Sequence, residues 1–348
     1  MKRNYGIDLL RMVAMVFVIV LHITGVGGIC ANALPGTAQF YISQFLRMAT
    51  FSAVNIYALI SGYVGWNRTP KLSSLANLWL KVICFCVGIT VFTQLRAPET
   101  VGLADLWKAF TPVTEAKYWY FNAYVGMFFF TPVLNHAARN ISGREAAFSA
   151  VGIGVLLVTL FYTRFNEVFP LGNGYSALWL MILYLMGAFA ARFDIPGKLS
   201  AGKWAALWLL AVCASFLPRM AMIAIKPELW SPGSYNLSMQ YINPAVILAS
   251  AAMLGLFAKL KLPDRAVKVV KALSPHSFGV YLLHTHTLIF LTAIRDRFIW
   301  LATAPVWELL GVLLGVTVLI YALGTAADAL VTRLFRLARI DTLLKKLP

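Results

Sequence analysis

Ten stretches of this chain are almost continuously apolar: 6–26, 38–63, 76–95, 118–134, 146–163, 175–191, 203–223, 239–258, 277–294 and 307–331. Each approaches the roughly 20 residues that a helix needs to cross a bilayer core. The pattern predicts an all-α polytopic membrane protein with about ten transmembrane helices, forming a single domain over residues 1–348. The stretch 118–134 is the shortest and contains Pro132. Short alternating strands, the mark of a membrane β-barrel, are absent from the pattern. Helices are then the remaining way to satisfy a backbone in lipid. The longest connection, about 96–117, carries Leu106-Trp107-Lys108-Ala109-Phe110 and reads as a short amphipathic helix on the outer face.

Charge fixes the expected orientation. With ten crossings the connections alternate sides. One set, with both termini, holds nineteen Lys and Arg residues; the other holds eight. Cytoplasmic loops carry the excess of positive charge, so the chain is expected to be N-in and C-in. A net charge of +17 would otherwise suggest nucleic acid. Its distribution marks topology and attraction to anionic lipid heads instead, so membrane lipids are expected partners and nucleic acid is not. Only 12% of residues are charged and 60% are apolar, which excludes an ordinary soluble domain. Cys30, Cys84, Cys86 and Cys213 show no metal-ligand spacing, and no metal site is expected.

Ionisable residues inside an apolar stretch are costly and are functional candidates by default. The first stretch holds two, Arg11 and His22. Eleven residues at about 100° each come to about 1100°, only about 20° past three full turns. Both side chains therefore share one helix face, about 16 Å apart along the axis. An imidazole is the usual general base near neutral pH. A packing histidine bonded to a neighbouring carbonyl is the structural alternative. Asp8 lies three residues before Arg11 and can pair with it and orient it. An arginine also presents a planar fork to phosphate.

These residues carry a resemblance. Asp8-Leu9-Leu10-Arg11, followed by ten residues and His22, resembles the Arg/His signature of the acyltransferase-3 family of integral-membrane acyltransferases. Ile60-Ser61-Gly62-Tyr63 resembles that family's segment at the end of the second span. Tyr118-Trp119-Tyr120-Phe121-Asn122-Ala123-Tyr124, running into Thr131-Pro132-Val133-Leu134, resembles its aromatic fourth span. Ser277-Phe278-Gly279-Val280-Tyr281-Leu282-Leu283-His284 resembles its late Ser/Gly/Tyr/His segment. The four lie in the family's order and span the whole chain. Within the family the chain is most similar to the compact members that O-acetylate surface polysaccharides, the enterobacterial common antigen type.

The resemblance implies a transferase of the bacterial cytoplasmic (inner) membrane. It would move an acetyl or other acyl group from cytoplasmic acyl-CoA, a co-substrate rather than a resident cofactor, to a hydroxyl of an extracytoplasmic glycan or lipid-linked saccharide. The family's essential Arg and His map onto Arg11 and His22. Relatives carry a pair of arginines at the start of the third span. Here Leu80-Lys81-Val82-Ile83-Cys84-Phe85 offers one cation, so Lys81, helped by Arg68 and Lys71, is expected to take the donor role with Arg11. Snorkelling interface anchors are the alternative for all three.

Tyr118, Trp119, Asn122 and His284 are the acceptor-side candidates; an interfacial aromatic belt explains the Tyr and Trp equally well. Asn55 needs a cross-helix partner. Arg47 stands either at the outer interface or on the channel. Glu115 and Glu167 are loop acids, and His136 and His276 read as ordinary loop residues. From another class, a secondary transporter using Arg11 and His22 as a relay is the competing function. Two similar halves with broken spans would favour it, and the sequence shows no such pairing.

Overall fold

The computed structural model describes residues 3–163, 170–226, 239–344 and 346. Among these the chain is all-helical, with no strand.

α1 (Tyr5–Thr24) starts where the Asn4 side chain accepts from the backbone N–H groups of Gly6 and Ile7. The same Asn4 donates from Nδ2 to the Ala258 carbonyl, which ties the start of α1 to a distant helix end. After α1 come the single turn α2 (Ile29–Asn32), then α3 (Ala38–Thr50), capped by Thr37, and α4 (Ala53–Gly65). The predicted second span is therefore one 28-residue apolar unit with a turn at Phe51-Ser52. α5 (Leu72–Arg96) follows, then the short α6 (Leu103–Lys108). This short helix lies where the amphipathic segment was expected, with Trp107 exposed.

α7 (Trp119–Asn140) runs through Pro132, and α8 (Gly143–Thr163) follows it. α9 (Ala177–Arg192) and α10 (Ala201–Ile225) begin at the serine caps Ser176 and Ser200, and α11 (Pro244–Ala258) at Asn243 with Pro244 in its first position. α12 (Asp264–Leu273) leads into α13 (Ser277–Thr285) and α14 (Thr287–Ile289). α15 (Val306–Leu337) and α16 (Ile340–Leu344) close the chain.

The expected count of ten spans is not reached by length and composition. Among the described residues five helical units are long and apolar enough to cross a membrane. These are Tyr5–Asn32, Ala38–Gly65, Leu72–Arg96, Ala201–Ile225 and Val306–Leu337. The ninth predicted span bends by 58° between Thr285 and Thr287, and counts as a sixth only if both arms are taken together. α9 and α11, at 16 and 15 residues, fall short of the core thickness. α7 is long enough but carries Asn135, His136, Arg139 and Asn140 in its last two turns.

Small residues allow the tightest contact, between α4 and α9. A methyl on Gly62 would overlap the Tyr184 carbonyl, and one on Gly187 would overlap that of Leu59. Close backbone approach through glycine is how helices associate where burial from water offers no drive. Asn55 finds its cross-helix partners here: its Nδ2 donates to Tyr241 O at 2.8 Å and its Oδ1 accepts from Trp179 Nε1 at 3.0 Å.

Contacts at the two ends set the relative directions. Tyr5 receives the Lys271 ammonium over its ring, and His22 meets His284, so α1 runs parallel to α12–α13. Tyr57 donates to Arg11 O while Arg47 lies against Gly25, so α3–α4 run opposite to α1.

Candidate functional site

His22 is half-buried near the end of α1, and its Nδ1 lies 3.2 Å from His284 Nε2 on α13. His284 Nδ1 lies 2.6 Å from the Val280 carbonyl. A carbonyl only accepts, so Nδ1 of His284 carries the hydrogen. Nε2 of a neutral His284 is then the acceptor, and His22 Nδ1 donates to it. The free lone pair of the pair is left on His22 Nε2, in a ring that lines an apolar channel of the bundle. Phe290, beyond the bend after α13, packs edge-on against His22 at 5.1 Å. His284 therefore stands behind His22 and fixes its tautomer. The geometry is one in which a second imidazole can orient the first.

The channel has a volume of about 440 Å³ and reaches from His22 to Arg11. Its walls include Met15 and Val18 of α1, Tyr57 of α4, Tyr120 and Tyr124 of α7, and Tyr281 of α13. One helix face thus carries both Arg11 and His22 onto the same wall, as their spacing requires. At Arg11, Ser61 and Tyr124 the channel meets a second cavity of about 690 Å³. This one is polar and basic, with Arg68, Thr69, Lys71 and Ser74 alongside Arg11. Arg11 Nη1 donates to Asp8 Oδ1 at 2.6 Å, and Asp8 Oδ2 accepts from Arg3 Nε at 2.6 Å. The nearly buried Asp8 thus holds Arg11 at the junction of the two cavities.

Other candidates fall in different places. Trp119 lines the channel and packs on Tyr175 and Tyr241. Tyr118 faces away from it, donating to Leu282 O at 2.9 Å. Asn122 donates to Val113 O at 3.2 Å and lines neither cavity. Lys81 is also absent from both walls. Its ammonium donates to both carboxylate oxygens of Asp328 on α15, at 2.8 Å each. The same carboxylate pairs with His276 Nδ1 at 2.7 Å, so His276 is an element of helix packing rather than an ordinary loop residue. Glu115 closes a turn onto Thr111, and Glu167 lies outside the described residues.

Sequence reasoning missed Asp328, although an acid within an apolar stretch is as conspicuous as Arg11. It also missed Tyr57, whose hydroxyl donates to the Arg11 carbonyl, and Tyr241; neither differs in pattern from an ordinary span residue. No cluster of three His, Cys, Asp or Glu suited to a metal ion occurs among the described residues.

A basic vestibule, an apolar channel and a histidine with a free lone pair make up the candidate site. The acyltransferase-3 family, described as an acyltransferase domain, matches residues 4–325. The chain belongs to that family, and with it to the acyltransferases. No curated protein and no solved structure matches the chain.

Proposed function

We propose that this protein is an O-acetyltransferase of a bacterial inner membrane. It takes the acetyl group of cytoplasmic acetyl-CoA to a hydroxyl of an extracytoplasmic glycan or lipid-linked saccharide, as the compact surface-polysaccharide members of the family do. One observation carries this reading: the Arg11 vestibule opens into a channel that ends at the His22–His284 pair. Arg11, Arg68 and Lys71 supply cations for the CoA phosphates, and the apolar channel admits the thioester arm. At the far end His22 Nε2 takes the proton of the acceptor hydroxyl as its oxygen attacks the thioester carbonyl carbon. The C–S bond breaks, the acyl group stays on the oxygen, and the imidazolium returns the proton to the thiolate to release free CoA.

Purified protein with radiolabelled acetyl-CoA and a panel of lipid-linked glycans tests this directly. Label on any glycan supports it; no transfer, with transport of a saccharide into vesicles instead, would favour a transporter. Arg11→Lys is expected to raise the apparent KM for acetyl-CoA more than that for the glycan, because an ammonium does not reproduce the guanidinium fork. An effect confined to the glycan would move Arg11 to the acceptor end.

With both termini inside, as the charge distribution leads us to expect, the transfer would cross the bilayer. The Arg11 end is also where Arg139 donates to the carbonyls of Trp66 and Arg68, and Arg192 to those of Ala138 and Ile141. Basic residues collect on the cytoplasmic side. In a background lacking Cys30, Cys84, Cys86 and Cys213, a single cysteine within 97–117 is expected to react with an impermeant maleimide in sealed cells. One within 259–271 is expected not to. The reverse pattern would invert the protein and place the acceptor inside.

A further inference from the structure

A second pair of cations lies at the His22 end of the bundle and lines neither cavity. Arg47 is half-buried in the last turn of α3, and Arg219 is buried on α10. Each lies near enough to the other for their charges to repel, and both act on the Cys30 thiol. Arg47 Nε is buried without a hydrogen-bond partner among the described residues, and none of the four ion pairs found there includes Arg47. One turn earlier, Gln44 is fully buried. Its Nε2 donates to Cys30 O at 3.2 Å, while its Oε1 has no partner.

Position ties this group to the channel. A methyl on Gly25, three residues past His22, would lie 3.3 Å from Arg47 Nε. Phe51, one turn beyond Arg47, stacks on Tyr241 at 4.8 Å, and Tyr241 lines the channel. Arg47 thus stands beside the end of the helix that presents His22. A cation kept at this depth with an unsatisfied donor is expensive, and an anion that arrives with a ligand relieves it.

Resting on the acyl-transfer reading, we propose that Arg47 binds an oxyanion carried by the acceptor and so sets the acceptor hydroxyl at His22. That oxyanion is the carboxylate of an acidic sugar or the phosphate of a lipid-phosphate carrier. A guanidinium fork matches either group with two parallel hydrogen bonds. Arg11 cannot serve both substrates, because it is held by Asp8 at the other end of the channel.

Binding is read without turnover, by tryptophan fluorescence of the purified full chain in detergent. The two probes are a polyprenyl diphosphate and a uronic-acid trisaccharide. At least one is expected to bind, and the one that binds identifies the source of the oxyanion. Arg47→Gln is expected to weaken that probe by about tenfold or more, and Arg47→Lys, which keeps the charge, by less. Equal affinity of wild type and Arg47→Gln overturns the proposal, as does wild type that binds neither probe. Inorganic pyrophosphate gives a second measurement that needs no variant. It is expected to displace a bound polyprenyl diphosphate from wild type, and excess acetate or glucuronate to displace a bound trisaccharide; an undisturbed probe overturns the proposal. No acyl-CoA is present in these titrations, so their outcome is separate from that of the radiolabelled transfer assay.

Discussion

His22→Ala is expected to lower acyl transfer by about 10²- to 10⁴-fold, the usual contribution of a positioned general base. The protein should stay folded. His22 is half-buried and lines a cavity, and among the described residues its side chain hydrogen-bonds to His284 alone. Its loss leaves His284 Nε2 without a donor, a cost of about 1–3 kcal/mol at a buried group. The measurement is the initial rate at saturating acetyl-CoA and acceptor, beside the unfolding midpoint of the same preparation. Turnover within a few-fold of wild type would remove His22 from the chemistry. His284→Gln separates base from orienter. A glutamine can accept from His22 Nδ1 but cannot share charge with an imidazolium, so its loss of rate is expected to be smaller than that of His22→Ala.

The helical class was legible because the chain must bury so much apolar sequence with so few charges. The count of spans was not, because apolar pattern does not fix helix length. α9 and α11 stop at caps and turns that leave them shorter than the bilayer core, and the ninth stretch bends at His286. The shared wall of Arg11 and His22 was legible because both lie on one helix, where 3.6-residue periodicity is a fixed rule. The partner of His22 was not. His284 lies 262 residues away, and nothing in its local pattern says that its Nδ1 is committed to Val280. Asp8 was paired correctly with Arg11 because three residues on a helix bring side chains together. Lys81 was given a donor role because it stands where relatives carry a pair of arginines, with a snorkelling anchor as the alternative. Its countercharge, Asp328, lies 247 residues on.

Asp328→Asn is expected to destabilise the protein by about 3–5 kcal/mol, the cost of breaking one side of a buried ion pair. Asp328 is fully buried and accepts from Lys81 and His276 at once, joining α5, the start of α13 and α15. The amide offers one acceptor oxygen instead of two and no charge, so the Lys81 ammonium is left uncompensated between helices. Gly279 makes the site intolerant of a larger repair, since a methyl there would overlap the Asp328 side chain. Replacing both partners by apolar residues, Lys81→Met with Asp328→Leu, should recover much of the loss, because no buried charge then lacks a partner. Recovery should stop short of wild type, because His276 still loses its acceptor. The unfolding midpoint of each variant in one detergent measures this. The same set decides what Lys81 does. A structural cation predicts that the folded fraction of the double variant keeps its KM for acetyl-CoA, whereas a donor ligand predicts a raised KM with stability restored. The first outcome is expected, because both hydrogen bonds of the Lys81 ammonium join α5 to α15, and α15 packs on the helix whose far end carries His284.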